Sequence, residues 1–269
     1  MKSNFLSYLF HFLIFVFLTV ITQIGGVVYL LSLITIKKKK KHFKFKRFGV
    51  FILLYTISTF LIIPNIAPFF GREKIKDNNQ VQSHSFFTKL CNRNYVSPKL
   101  HAVLIDVSLR MNKVYPEVKL TYLDANFPFF DGFPLLPHLS HNDGKKIDLS
   151  FIYNNKDGNI SNLKPSRSGY GIFEGAKKGE VNQAEICKEN GYWQYDYSKY
   201  LTLGKTNKGI QFNEEATKDL VQFIIKNLDV QKVFIEPHLK TRLKLTNSKI
   251  RFHGCGAVRH DDHIHLQVN

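Results

Sequence analysis

The chain has 269 residues, and 38 Lys and Arg against 21 Asp and Glu give a formal net charge of +17. Three cysteines without a Cys-x-x-Cys pair exclude thiol-redox and zinc-finger motifs, and the lack of a Gly-rich phosphate loop excludes P-loop nucleotide chemistry. The part after the N-terminal third is long enough for one domain with a real core.

Two long apolar segments occupy the N-terminal third. Residues 5–36 carry no charged group apart from His11, and residues 48–71 are again apolar. Each segment exceeds the ~20 residues that a helix needs to cross a bilayer, which predicts transmembrane helices over about 12–36 and 48–70. A cleaved signal peptide is the alternative for the first segment. It fits poorly, because a signal core has ~7–15 apolar residues and no second long run directly behind it.

A basic loop separates these segments. Residues 37–47 hold eight basic side chains and no acid. The positive-inside rule places this loop in the cytoplasm and both chain termini outside, which predicts a multi-pass protein of the cell (inner) membrane with a periplasmic, extracytoplasmic domain. A basic run is also typical of nucleic-acid binding, but its position between two membrane-length segments favours lipid headgroups. We therefore expect membrane lipid as a partner and no nucleic acid.

The remaining chain is predicted to be a linker, residues 72–95, and one domain, residues 96–269. The linker is polar and without periodicity. A helix is predicted to begin at Ser97-Pro98, and a second one after the cap residue Asn213. Their apolar stripes comprise Leu100, Val103, Leu104 and Val107 in the first helix and Ala216, Leu220, Phe223, Ile224 and Leu228 in the second.

Strands are predicted at residues 118–123, 146–153, 232–235 and 264–268. These elements predict an α+β fold with a small, mainly antiparallel sheet, surrounding helices and long loops, preceded by a two-helix transmembrane hairpin.

An irregular insertion is predicted over residues 154–208, bordering any cleft. It contains Tyr170, Tyr192, Trp193, Tyr195 and Tyr197, whose rings either anchor the loop or pack against a peptide or glycan. Of the three cysteines, Cys187 and Cys255 are the pair expected to form a disulfide in an oxidising exterior, and three free thiols are the alternative.

The most informative motif lies at the C-terminus, where His260, His263 and His265 fall within six positions of an alternating apolar stretch. Two residues of a strand that are two apart project from the same face. His263 and His265 are therefore placed to converge on one metal ion.

A second group lies upstream and contains His138, His141 and Asp148. A metal held by His141, Asp148 and an imidazole of the C-terminal motif would have two nitrogen ligands and one carboxylate ligand. This leaves a fourth tetrahedral position open, which is the pattern of a catalytic zinc site. The more isolated histidines are interpreted as ordinary core or surface residues; they are His11, His42, His84, His101, His238 and His253.

Together these two motifs resemble the penicillin-insensitive murein endopeptidases. That family belongs to the zinc peptidase group that includes the lysostaphin-type enzymes, the D-alanyl-D-alanine dipeptidases and the hedgehog signalling domain. The similarity covers about residues 96–269. Residues 233–237 and Lys240 also resemble the strand and turn that precede the last ligand in that family.

The resemblance implies that His141, Asp148 and His265 bind one Zn²⁺ per chain. It further implies that His263 acts as the base and that His260 stabilises charge on the attacked carbonyl. Some relatives bind an accessory metal, but no histidine lies between Asp148 and residue 238, which argues against a second ion here.

The roles of several neighbours stay open. His138 either binds substrate or forms a hydrogen bond within its loop. Asp143, Asp261 and Asp262 are interpreted as solvated loop carboxylates, with orientation of a metal-binding imidazole as the alternative.

The implied function is a membrane-anchored zinc metallopeptidase that opens D-alanyl to diaminopimelyl cross-links of peptidoglycan peptides. Subtracting the loop leaves a charge of +9 on the rest of the chain, which favours encounter with anionic wall polymers. The first alternative is a D,D-carboxypeptidase or dipeptidase, with Arg167, Arg242 or Arg259 receiving the substrate carboxylate. The second is a non-hydrolytic, zinc-dependent wall-binding or scaffold protein.

Overall fold

The computed structural model describes residues 2–36, 41–204 and 206–269, which form an α+β protein with an apolar helical region at the N-terminus. In that region α1 spans Lys2–Thr22, α2 spans Gly25–Thr35 and α3 spans Phe43–Ile57. Helix α3 continues through a π-turn, Ser58–Ile62, into α4, Ile63–Ile66, and a 3₁₀ turn, Ala67–Phe70. Two apolar helical stretches, Phe5–Thr22 and Phe43–Phe70, have the length and composition to cross a membrane.

The first apolar segment is a bent hairpin where one helix over 12–36 was expected. Gln23 adopts a left-handed φ of 66°, and the Thr22 hydroxyl accepts a hydrogen bond from the Gly25 amide at 2.8 Å. A Cβ added to Gly26 would lie 2.0 Å from the Thr19 hydroxyl, so glycine permits the two helices to meet. Hydropathy does not detect this break, because the turn residues are themselves uncharged.

The hairpin returns α2 to the level of the N-terminal half of α1. His11 Nδ1 lies 2.5 Å from the Tyr29 hydroxyl, and Arg47 Nε donates to the Ile36 carbonyl at 2.9 Å. The start of α1, the end of α2 and the start of α3 surround one cavity of about 730 Å³. The described N-terminal residues and the basic end of α3 therefore lie at the same end of the bundle, which differs from the expectation that a single helix separates them.

The C-terminal domain is built on a six-stranded sheet in the order β10-β9-β11-β5-β4-β2. The central pairs β4–β5, β5–β11 and β11–β9 are antiparallel, whereas both outer pairs, β4–β2 and β9–β10, are parallel. The sheet is thus mixed, although its middle is antiparallel as predicted. Its strands are β2 (Val81–Ser83), β4 (Leu120–Asp124), β5 (Lys146–Ser150), β9 (Val230–Phe234), β10 (Ile250–Arg251) and β11 (His263–Val268).

Two helices cover the sheet and were predicted from their capping residues. Helix α6, Pro98–Val114, begins after Ser97, whose hydroxyl accepts from the Leu100 amide. Helix α8, Glu214–Lys226, begins after Asn213, whose side chain accepts from the Ala216 amide at 2.9 Å. Both apolar stripes are buried in one core with the strands. Leu228 is the exception, because it lies beyond the end of α8 and is exposed.

Residues 72–95, expected to be a linker, are folded into the domain. They form β1 (Glu73–Lys74), β2, α5 (Phe86–Leu90) and β3 (Tyr95–Val96). Ile75, Val81 and Cys91 are buried, and β2 runs parallel to β4 as an edge strand. Such short elements present too few apolar positions for a period to be recognised.

The insertion is mostly irregular, as expected. A three-stranded sheet is formed by β6 (Tyr153–Asn154), β7 (Ile160–Ser161) and β8 (Gln211–Phe212). The insertion also contains α7 (Gln183–Glu189) and a 3₁₀ helix, Trp193–Leu201, and α9 (Pro237–Arg242) follows β9. Cys187 in α7 and Cys255 form a disulfide, which confirms the predicted pairing, while Cys91 is free.

The helical region is joined directly to the domain. The Tyr55 hydroxyl donates to the Leu90 carbonyl at 2.7 Å, Asn92 Nδ2 donates to the Thr22 carbonyl, and the Phe129 amide donates to Gln23 Oε1 at 3.0 Å. One apolar cluster spans the junction and comprises Ile24, Val28, Tyr55, Ile63, Ala67 and Tyr95. The domain is therefore packed on the helices and does not hang from a flexible tether.

Candidate metal centre

The site is built on a row of residues that crosses the sheet. Asp124 on β4 lies opposite Asp148 on β5, Asp148 lies opposite His265 on β11, and His265 lies opposite Phe234 on β9. Residues directly opposite in neighbouring strands project from the same face, with side chains close enough to touch. The register therefore brings Asp148 and His265 together although 117 positions separate them.

Three candidate ligand atoms converge at this row. His265 Nδ1 lies 2.9 Å from Asp148 Oδ1 and 3.2 Å from His141 Nε2, and His141 Nε2 lies 3.2 Å from Asp148 Oδ1. All three side chains are buried, and their ligand atoms lie within 4.8 Å of one another. His141 reaches the group from the loop between β4 and β5.

The hydrogen bonds of these side chains fit a metal site. His141 Nδ1 donates to the Ala125 carbonyl at 2.9 Å, so its Nε2 lone pair is directed into the group. The Tyr170 hydroxyl donates to Asp148 Oδ2 at 2.8 Å, so Oδ1 is the oxygen that faces the two imidazoles. Two imidazoles and one carboxylate form the donor set of catalytic zinc sites. The residues present therefore fit a divalent metal ion.

His263 lies beside the three candidate ligands on the same strand. Its Nε2 is 3.6 Å from Asp148 Oδ1, and its Nδ1 donates to Asp262 Oδ1 at 2.5 Å. The other oxygen of Asp262 accepts from the Gly171 amide at 2.6 Å. Both Asp261 and Asp262 are buried, so the interpretation of them as solvated loop carboxylates is wrong. Asp262 instead orients His263, which is not one of the three candidate ligands, so it does not hold a metal-binding imidazole as the alternative expected.

His260 approaches the same group from the turn before β11. Its ring centroid lies 5.0 Å from that of His263 and 5.7 Å from that of His265. Its backbone amide donates to Glu236 Oε1 at 2.9 Å, and the Tyr195 hydroxyl donates to the same oxygen at 2.5 Å. The buried Glu236 carboxyl, whose pKa is raised to about 7 by burial and by nearby Asp261, thus fixes the turn that carries His260.

The pKa values of Asp148 and of the histidines around it are strongly shifted. Burial disfavours the Asp148 carboxylate, but His141 and His263 hold its pKa well below the usual value. Burial opposes protonation of His263, yet the facing Asp148 and Asp262 raise its pKa to about 9. Burial lowers the pKa of His265 to about 4, and burial with His263 and His265 lowers that of His260 well below the usual value. The group therefore concentrates negative charge on Asp148, where a cation would bind.

His138 takes part in a separate hydrogen-bonded chain. Its Nδ1 donates to Asp124 Oδ2 at 2.9 Å and lies 3.4 Å from Asp148 Oδ2. Arg93 donates from Nε to Asp124 Oδ1 at 2.8 Å and makes a second bond to the other oxygen. The hydrogen bond expected as one alternative is therefore present, but it goes to a strand residue. The ring also lines the cleft described next.

A cleft of about 350 Å³ opens over the candidate ligands. The cleft is lined by the loop 137–141, by the 3₁₀ helix of the insertion and by residues 253–258. The Cys187–Cys255 disulfide joins residues 253–258 to α7, the helix that precedes the 3₁₀ helix in the insertion. Tyr197 lines the cleft, whereas Tyr170 and Tyr195 are buried and anchor the insertion.

The three arginines considered for a substrate carboxylate lie elsewhere. Arg242 pairs with Glu180, and Arg259 pairs with Asp261 and stacks over the Phe173 ring. Arg167 lines a different surface pocket. Within residues 41–204 and 206–269, no Lys or Arg lines the cleft.

Sequence reasoning missed several members of the site. His253, interpreted as an ordinary histidine, stacks on Phe234 with a centroid distance of 4.0 Å and lines the cleft. Asp124 and Glu236 were assigned no role. Asp124 directly follows the strand predicted over residues 118–123, and this position was the available signal for it. Glu236 lies within the stretch 233–237 noted for its resemblance, but nothing indicated its bond to the His260 amide.

Asp143 remains a loop residue, where it binds the Lys145 amide and the Lys146 ammonium. Neither the models of known protein families nor the curated proteins compared with this chain give a match.

Proposed function

We propose that the chain is a membrane-anchored, zinc-dependent metallopeptidase that hydrolyses peptide cross-links of peptidoglycan, with the D-alanyl to diaminopimelyl bond as substrate. The observation that carries this proposal is the buried His141, Asp148 and His265 group beneath an open cleft, with two further histidines beside it. The identity of the bond rests on the resemblance to murein endopeptidases. That resemblance lies in the two histidine motifs.

His141, Asp148 and His265 would hold the zinc ion, which would supply Lewis-acid chemistry: a lower pKa of bound water, about 7, and a polarised carbonyl. His263 accepts the proton of the attacking water at Nε2, while its Nδ1 stays bonded to Asp262, and donates it to the leaving nitrogen when the peptide bond breaks. Asp148 and Asp262 raise the pKa of His263 to about 9, and a cation bound to Asp148 would oppose the contribution of that carboxylate. His260, whose pKa is low, acts as a neutral N–H donor to the developing oxyanion.

Internal cleavage is favoured over removal of a terminal residue. A carboxypeptidase needs a cation to receive the terminal carboxylate, and a carboxylate buried without a partner is costly. Arg242 and Arg259 are already paired with acids, and Arg167 is remote from the cleft. The D,D-carboxypeptidase or dipeptidase remains the second candidate within the same chemistry.

A non-hydrolytic wall-binding or scaffold role is the third candidate. A binding site needs its ligands but does not need a base fixed by its own carboxylate beside them. Asp262 accepts from the His263 ring, and Glu236 accepts from the backbone amide of His260 and so fixes the turn that carries the second imidazole. Neither arrangement would have a task in such a protein. This arrangement favours catalysis.

The membrane anchor is proposed from the helical region. Most large apolar side chains of α1 and of the helical stretch Phe43–Phe70 are exposed. Such exposure is costly in water and favourable in lipid. The basic segment 41–47 marks the cytoplasmic side by the positive-inside rule. The N-terminus then shares that side because of the α1–α2 hairpin, and the domain lies on the periplasmic side of the inner membrane.

The test uses the full chain in detergent with cross-linked muropeptides, with and without a chelator and with zinc restored. Metal-dependent conversion of dimers to monomers, followed by mass, supports the proposal. Loss of a terminal alanine alone would move the assignment to a carboxypeptidase. His263→Ala should bind zinc without turning over, and His101→Ala is the matched control because that ring binds Glu73 away from the cleft. No cleavage by the zinc-loaded wild type contradicts the proposal.

A further inference from the structure

Five exposed phenylalanines surround the junction between the helical region and the domain, and we call them the aromatic rim. They come from three segments that are separate in sequence: the end of the helical stretch Phe43–Phe70, helix α5 and the loop after β4. The rim consists of Phe69 (88% exposed), Phe70 (42%), Phe86 (62%), Phe87 (59%) and Phe130 (62%). Phe70 contacts both Phe129 and Phe130, so the loop and the helix end form one surface.

One residue of the rim, Phe86, contacts the middle of the second apolar helical stretch, Phe43–Phe70. The ring of Phe86 stacks on that of Phe60 at 6.1 Å, and Phe60 lies ten positions before the end of the helical stretch at Phe70. The Lys74 ammonium lies 5.1 Å from the Phe60 ring centroid, and the Lys89 ammonium lies 5.6 Å from that of Phe86. Rings with lysine ammoniums over them are typical of the boundary between lipid tails and headgroups.

The geometry of a helix sets the height of this contact in a membrane. Arg47 is the last basic residue before the apolar stretch, and thirteen residues later Phe60 lies roughly 20 Å along the helix axis. The hydrocarbon core of a bilayer is ~30 Å thick. With Arg47 at the inner headgroups, Phe60 would lie in the outer half of the bilayer, and the Phe86 ring that stacks on it would lie at the same depth.

We infer that the aromatic rim is a lipid-binding face, inserted into the outer leaflet of the membrane. This inference rests on the proposed membrane anchor and goes beyond it, because an anchored domain has no need to touch the bilayer. The loop that carries Phe129 and Phe130 also carries His138 and His141. Contact with lipid at one end of this loop therefore fixes the height and tilt of the cleft above the membrane.

The test measures lipid contact with a single tryptophan. The only native tryptophan, Trp193, is replaced in Trp193→Phe, and Phe87→Trp is added, since Phe87 takes no part in the Phe60 stack. The full chain is placed in vesicles of phosphatidylcholine and phosphatidylglycerol whose acyl chains carry bromine near the headgroup. The matched control is Phe252→Trp in the same background, because Phe252 contacts Tyr195 in the insertion.

The expected result is a blue-shifted emission that loses most of its intensity in brominated vesicles for Phe87→Trp and little for Phe252→Trp. Equal and weak quenching of both variants, in chain that floats with the vesicles, overturns the lipid-binding face and leaves the anchor intact. Failure of the chain to float overturns the anchor itself. A third outcome is weak quenching of Phe87→Trp with a blue shift that disappears when the ratio of protein to lipid is lowered. It would mean that the rim contacts a second copy of the chain, which also overturns the inference.

Discussion

His263 donates from Nδ1 to Asp262 Oδ1 at 2.5 Å, and the Gly171 amide donates to the other oxygen of the same carboxylate. Asp262 therefore satisfies two N–H groups at once, one on the proposed base and one on the insertion. The orientation of His263 depends on a carboxylate that is itself held by a segment distant in sequence.

Asp262→Asn should lower kcat by about 10²–10⁴-fold with zinc content unchanged. An amide has one acceptor oxygen, so either Gly171 or His263 loses its acceptor, and His263 then adopts the wrong tautomer or orientation. Turnover of muropeptides and metal analysis measure the two effects. Asp143→Asn is the control, because that loop carboxylate binds Lys145 and Lys146 only. Full activity of Asp262→Asn would remove the orienting role.

His141→Ala and His138→Ala should differ in metal binding although the two residues are three apart. His141 belongs to the converging group, so its loss should weaken zinc affinity by more than about 100-fold. His138 donates to Asp124, so its loss should leave stoichiometric zinc and affect turnover. Equilibrium dialysis against a zinc buffer measures the affinities. Equal losses in both variants would mean that the metal site is larger than the three residues proposed.

Asp124→Ala should destabilise the fold by about 3–5 kcal/mol, because it leaves the largely buried Arg93 without its acid. The control is Asp106→Ala, which breaks the exposed Asp106–Arg110 pair of α6 and should cost less than about 1 kcal/mol. Denaturant unfolding in detergent gives both free energies. Similar small losses would show that Arg93 finds another partner.

Lys164→Met should raise stability at neutral pH and below. Burial lowers the pKa of Lys164 to about 7, and its ammonium meets only the Phe151 carbonyl at 3.4 Å and the Tyr153 ring. Between pH 7 and about 10.5 the unfolded chain binds a proton that the folded chain does not, so wild-type stability rises with pH there. The gain from Lys164→Met should be on the order of 3–5 kcal/mol below pH 7 and should vanish near pH 10.5.

The pH dependence of unfolding, followed in detergent between pH 6 and about 10, measures this difference. Lys178→Met replaces an exposed lysine and should leave the pH dependence unchanged. A constant gain of Lys164→Met at every pH would mean that the stabilisation comes from packing and not from the charge.

The parts of the structure that depend on local pattern were predictable. The alternation around His263 and His265 predicted a strand with both rings on one face, and Ser97 and Asn213 marked the starts of α6 and α8. Each of these follows from neighbours in sequence. The predicted zinc, its three ligands and the peptidase activity stay predictions.

The remaining features depend on contacts between distant segments. Asp261 and Asp262 resemble solvated residues until the insertion folds over them, as the bond from Gly171 illustrates. The edge strand β2 is recognisable only through its parallel pairing with β4. The turn at Gln23 depends on the close fit of Gly26 against Thr19, which hydropathy does not measure.

The contacts of Tyr55, Thr22 and Gln23 with the domain change what the N-terminal helices are for. A fragment that starts near residue 90 would lose β2 and would leave Tyr95 and Phe129 without the side chains that cover them. Such a fragment would expose this apolar surface to water and would tend to aggregate. The helices thus serve as a wall of the domain's own hydrophobic interior, and biochemical work on this protein has to keep the whole chain.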